Sequence, residues 1–141
     1  MQNITHEGKF GLQLWSVKEE MAQAPQRTLE QAAAFGYHQI ETFEGAQGMC
    51  WGMAPAGFKA SAHGLGMEIV AGHCDVFNDF EMKVEIAVGT GMRFLVCPWL
   101  GPNGSLDFYR QAAARFNYCG ELCRQAGIGF AYHNHDYSFL P

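Results

Sequence analysis

Four times along this chain a helix-like stretch ends at a glycine, and an apolar, strand-like run begins within two residues. The segments are AAAFGYHQIETF (32–43), SAHGLGMEIVAGHCD (61–75), AVGTGMRFLVCPW (87–99) and CRQAGIGFAYHNH (123–135). Their glycines are Gly36, Gly66, Gly91 and Gly127. Each suits the position just past a helix, where φ turns positive and glycine enters without strain. Each following run reads as a buried strand, apolar on both faces. Helix then strand, repeated about every 30 residues, is the pattern of βαβ units on a parallel sheet.

A further strand precedes the first helix, so the repeat predicts five strands and four helices. The strands are expected near 10–17, 37–43, 67–73, 93–98 and 128–134. The helices are expected near 28–35, 55–65, 78–88 and 106–126, capped by Thr28, by Asn78 or Asp79, and by Ser105 or Asp107. A Gly/Met-rich loop, 45–57, precedes the second helix, and the loop Gly101-Pro102-Asn103-Gly104-Ser105 precedes the last. No phosphate loop of the G-x-G-x-x-G or G-x-x-x-x-G-K type follows any strand, which disfavours a nucleotide site. The expected architecture is therefore α/β: part of a parallel (β/α) barrel, its strands in sequential order with helices on one side.

Composition narrows the partners. The chain has 141 residues and a net charge of −5, with both signs interspersed. No basic patch points to nucleic acid or to an anionic membrane, and no apolar run approaches a membrane span. The N-terminus carries no signal pattern, so a cytoplasmic location is expected. The five cysteines form no CxxC pair, which argues against a disulfide framework or a zinc knuckle.

In parallel α/β folds ligands bind at the carboxyl ends of the strands. Here those ends carry Trp15 and Ser16; Glu41 and Glu44; His73, Cys74 and Asp75; Cys97, Pro98 and Trp99; and His133, Asn134, His135 and Asp136. His6 and His38 fall elsewhere. Carboxylates and imidazoles hydrogen-bond hydroxyls or hold a metal, and indoles cover the apolar face of a sugar. His133 and His135 lie two apart on a strand and so share a face. They offer two metal ligands, or one ligand and one substrate donor. A carboxylate at Glu41, inside a strand, needs a partner or a site, because burying it unpaired is costly. Glu44 and Asp75 read as loop solvation or helix capping. Nothing suggests a serine or cysteine triad.

The runs GLQLWSV (11–17), FGYHQIETFEG (35–45), AGHCD (71–75), LVCPW (95–99) and above all AYHNHDYSF (131–139) resemble the xylose-isomerase-like sugar phosphate isomerase/epimerase family, which are TIM barrels. The resemblance spans the chain, but family members are about twice as long. It implies that residues 1–141 are the N-terminal part of a single (β/α)₈-barrel domain, ending after strand 5. It also implies metal-assisted proton transfer next to a sugar carbonyl, with Mn, Mg, Co or Zn held mostly by residues outside this chain. Carried over as substrate-binding residues are Trp15, Glu41, His73, Trp99, His133 and His135, with His133 and His135 also as metal ligands. Where the family run continues to a glutamate this chain has Ser138, which leaves His133 or His135 to serve there.

The resulting expectation is a sugar (phosphate) isomerase or epimerase, inactive as this fragment, whose partner is a small-molecule sugar or sugar phosphate. The alternatives are a non-catalytic half-barrel that self-associates through open sheet edges, and a small sugar- or metal-binding module.

Overall fold

A computed structural model describes residues 10–102 and 105–139, without the side chains of Ser138 and Phe139. His6, Asn103, Gly104 and the Ser138 side chain, all named above, lie outside it. Five parallel strands form one sheet in sequential order: β1 (Gly11–Gln13), β2 (Gln39–Phe43), β3 (Glu68–His73), β4 (Phe94–Cys97) and β5 (Gly129–Tyr132). The helices are α1 (Lys18–Gln23), α2 (Pro25–Ala34), α3 (Pro55–Gly64), α4 (Phe80–Thr90) and α5 (Leu106–Gln125). Consecutive helices touch in chain order, α1 to α2 through α4 to α5, which makes them a single layer. Sequential strands under one helix layer are the arrangement of a barrel segment. A doubly wound sheet would reverse its order at a switch point.

The repeat glycines do what their spacing predicts. Gly36, Gly66, Gly91 and Gly127 have φ of 90°, 76°, 87° and 76°. In each case the next residue donates its N–H five residues back: Tyr37 to Ala32, Met67 to Ala62, Met92 to Ala87 and Ile128 to Cys123. This is the sixth-to-first bond of a Schellman ending, which closes the helix and turns the chain toward the sheet.

Three expectations fail locally. The first strand does not run to residue 17. It stops at Gln13, a 3-10 turn spans Leu14–Val17, and α1 follows unannounced, so there are five helices among the described residues rather than four. The Gln13 side chain accepts the Trp15 N–H and breaks the extended run, while fully buried Leu14 and Met21 anchor the turn and α1. Thr28 is not a cap. Pro25 opens α2, and the Thr28 hydroxyl donates to the Ala24 carbonyl at 3.0 Å. Asp79 precedes α4 in a left-handed conformation, φ 46°, and its side chain caps nothing. Ser105 does cap α5, accepting from the Phe108 N–H.

The strands are also less uniformly buried than expected. Along β2, Ile40 and Thr42 are fully buried, whereas Gln39, Glu41 and Phe43 stay half-open. The helix side is the core; the opposite side, a barrel's interior, is only partly covered. Between β2 and β3 the register shifts: Ile40 pairs with Ile69, but Glu41 pairs with Ala71, leaving Val70 as the extra residue of a bulge.

The loop between β2 and α3 is fastened to the core through Thr42. Its hydroxyl donates to the Met49 carbonyl at 2.6 Å and accepts from the Trp51 indole N–H at 3.1 Å, all buried. Trp51 has φ 53°, a costly conformation for a bulky residue, and burial plus this bond hold it there. The same loop crosses Gly72, where an added Cβ would lie 2.7 Å from the Met49 methyl. Replacing Thr42 with valine keeps the shape but orphans one buried donor and one buried acceptor. Each orphan costs about 1–3 kcal/mol, so Thr42→Val should lower the urea midpoint by a corresponding amount without altering the m-value.

Candidate functional site

The carboxyl ends of the strands surround a cleft of about 740 Å³. All six residues singled out from the sequence line it: Trp15, Glu41, His73, Trp99, His133 and His135. Gln13, Ser16, Phe43 and Pro98 complete the lining. The two indoles are 52% and 57% exposed, with the Lys18 ammonium over one face of Trp15. His73, last residue of β3, is buried. His133 follows β5 but stays on its ladder, donating its N–H to the Cys97 carbonyl at 3.0 Å.

A chain of hydrogen bonds fixes the polar floor. The Gln13 amide oxygen accepts the Trp15 N–H, which orients the amide. Gln13 Nε2, a donor only, then faces His73 Nδ1 at 3.0 Å, so Nδ1 is the unprotonated acceptor. The His73 proton therefore sits on Nε2, 3.3 Å from Glu41 Oε1. Burial, helped by His133, pushes His73 down to about 4. Burial raises the Glu41 carboxyl. Both shifts oppose charge separation, so the contact is a neutral imidazole donating to the carboxyl group rather than an ion pair. Among the described residues Glu41 Oε2 has no partner, and Glu41 lines the cleft.

The other wall is a stack of rings. His133 lies 5.3 Å from His73 and stacks on His135 at 4.8 Å and 7°. His135 stacks in turn on Tyr137 at 5.5 Å and 11°, and its Nε2 donates to the Pro98 carbonyl at 3.1 Å. The Tyr137 hydroxyl accepts the N–H groups of Leu100 and Gly101 at 3.0 and 3.2 Å, and its ring meets Trp99 edge-on at 6.1 Å. The residues after β5 thus hold the loop after β4 and with it Trp99.

Glu44 and Asp75 belong to a neighbouring brace. Glu44 Oε2 accepts the Asp75 N–H at 2.7 Å and pairs with buried Lys83 at 2.9 Å, and Lys83 also donates to the Asp75 carbonyl at 2.7 Å. Contrary to the expected loop solvation or helix capping, Glu44 braces the loop through Lys83, and Asp75 accepts from the Phe77 N–H and the Asn78 amide without capping α4. All five cysteines are free and buried, and burial pushes Cys97 up to about 11, which suits packing rather than nucleophilic work.

The residues that sequence reasoning missed are Gln13, Phe43 and Tyr137, whereas Ser16 and Pro98 fall at the expected strand ends without an assigned role. Gln13 ends a strand inside GLQLWSV, and Tyr137 sits in AYHNHDYSF, so both lay within runs already singled out. The missing signal was the early end of β1, which turns Gln13 from a mid-strand residue into a terminal one.

No protein-family model matches the sequence, and no curated protein matches it. Solved structures do. A sugar phosphate isomerase/epimerase from Parabacteroides distasonis aligns with a TM-score of 0.77 at 24% identity, covering 95% of this chain and 54% of that one. A second from the same organism aligns at 0.78 and 22%, covering 92% and 56%. A xylose isomerase-like TIM barrel protein from Mycobacterium smegmatis, in complex with magnesium, aligns at 0.67 and 13%, covering 90% and 55%. These likenesses establish the fold alone: a parallel (β/α) partial barrel, like part of a TIM barrel. The chain spans about half the length of the structures it matches.

A divalent metal does not fit the donors of this chain as they stand. Among the described residues no group of three His, Cys, Asp or Glu side chains is placed to hold one. Both His73 nitrogens are engaged, and His135 Nε2 is committed to Pro98. The parallel stacking of His133 on His135 keeps their ring planes side by side rather than converging on a point.

The depressed His73 value has a testable consequence. An unfolded histidine gains its proton near 6.5, this one near 4, so between those values the unfolded chain binds more protons. The His73 contribution to stability is present above 6.5 and is lost as pH falls toward 4. Ring-nitrogen NMR should show His73 neutral, as the Nε2–H tautomer, down to about pH 4. A His73→Gln variant should lose less stability over the same window.

Proposed function

We propose that this chain is the substrate-binding first half of a sugar isomerase or epimerase barrel. The observation that carries the reading is the convergence of Glu41, His73 and His133 beneath two exposed indoles, at the strand ends where such barrels bind their ligands. Glu41 Oε2 accepts a sugar hydroxyl, His133 offers a second polar contact, and Trp15 and Trp99 cover apolar C–H faces. His73 and Gln13 position Glu41. No helix among the described residues is long and apolar enough to cross a membrane.

Isomerisation beside a carbonyl needs a base, a reprotonating acid and an electrophile held together, and loss of one member costs nearly as much as loss of all. The described residues supply at most the carboxyl and imidazole side of that set. The metal-assisted step implied by the family resemblance belongs to donors outside them. The purified chain should bind ketoses weakly and show no measurable epimerisation or isomerisation with any divalent metal added. Trp99→Ala should weaken ketose binding about tenfold, the worth of an aromatic contact of roughly 1–1.5 kcal/mol. Robust turnover by the chain alone, or ketose binding indifferent to Trp99, would refute the reading.

Self-association has its own support. β1 and β5 each pair on one side only, and Phe94 and Ala131 are exposed on the uncovered face beside β5. Unpaired strand edges seek partners. Light scattering should find a dimer or larger species, and a strict monomer at high concentration would count against it.

A further inference from the structure

The chemistry of the cleft wall narrows the substrate. We infer that the part of the substrate held by this half of the barrel is an uncharged polyhydroxyl segment, and that a phosphate group is turned away from it. The inference rests on the sugar-binding reading above.

Phosphate is ordinarily received by cationic side chains or by free backbone N–H groups at helix and loop starts. Among the described residues the cleft lining contains no lysine or arginine, and its formal charge is the Glu41 carboxyl. Four backbone donors on the neighbouring loops are already taken, two of them by carboxylates. The Asp75 N–H is held by Glu44 at 2.7 Å, and the Phe77 N–H by the Asp75 side chain at 2.8 Å. The Leu100 and Gly101 N–H groups are held by the Tyr137 hydroxyl. Acids thus occupy the positions after β3 where an anion would otherwise dock. Lys83, buried at this end, is balanced by Glu44 and the Asp75 carbonyl. Lys18 reaches the rim, but its ammonium sits 4.2 Å from the centroid of the Trp15 ring and does not line the cleft. The cleft presents aromatic rings, imidazoles, a carboxyl group, the Gln13 amide and the Ser16 hydroxyl, with no cationic side chain among them. That set suits C–H faces and hydroxyls, and it repels a dianion.

The experiment is a titration of the full chain with the free D-ketohexoses and, in parallel, with their 6-phosphates. The indole N–H resonances of Trp15 and Trp99 report on the cleft. Buried Trp51, 4% exposed, is the internal control. The free sugars should shift Trp15 and Trp99 but not Trp51, and the phosphate esters should bind about tenfold more weakly, a like-charge effect that shrinks as salt is added. Esters binding as tightly as the free sugars, or more tightly, would overturn the inference and leave the sugar-binding reading standing. No shift with either series would remove both.

Discussion

The hydrogen bond that closes each helix behind its glycine is the interaction on which everything else rests. After Gly36, Gly66, Gly91 and Gly127 the next N–H reaches back five residues, so the chain leaves each of the four helices that precede a strand, α2 to α5, by the same turn. A repeated exit turn makes strand follow strand in order, and sequential order curves the sheet toward a barrel rather than a two-sided layer. It also brings all the strand ends to one rim. The cleft collects its residues from positions far apart in sequence because one local turn is reused, and no long-range polar contact is needed to gather them.

Helices and strands were legible wherever this turn punctuates the chain. Strands 2 to 5 and the helices α3 and α5 lie close to where glycine spacing and apolar runs put them. The first strand did not, because nothing before it repeats, and because the break after Gln13 comes from one side chain meeting one backbone N–H. That contact has no periodicity. The same holds for Thr28. Threonine near a helix start signals a cap, but Pro25 fixes the first turn earlier and leaves the hydroxyl to bond backward inside the helix.

The candidate site was legible as a set of residues but not as a network. Polar and aromatic groups after apolar runs were enough to find Trp15, Glu41, His73, Trp99, His133 and His135. Which imidazole nitrogen carries a proton, and which carboxyl oxygen is free, depend on Gln13 and its orientation. The histidine pair shows the limit from the other side. Residues two apart on a strand would share a face, but β5 ends at Tyr132 and both histidines follow it; that their rings stack rather than converge is set by Pro98 and Tyr137, neither of which the spacing involves.

The bulge at Val70 gives β3 two reading frames. Up to Ile69 the strand is in phase with the helix side, sharing a face with fully buried Ile40; from Ala71 onward it is in phase with Glu41, which is why His73 opens into the cleft. Strict alternation from Ile69 would have put His73 against the helices instead. Loss of the single residue Val70 preserves both frames, whereas any change that merely straightens the strand shifts the second and rotates His73 out of the cleft. At this position chain length carries the information that side-chain identity carries elsewhere.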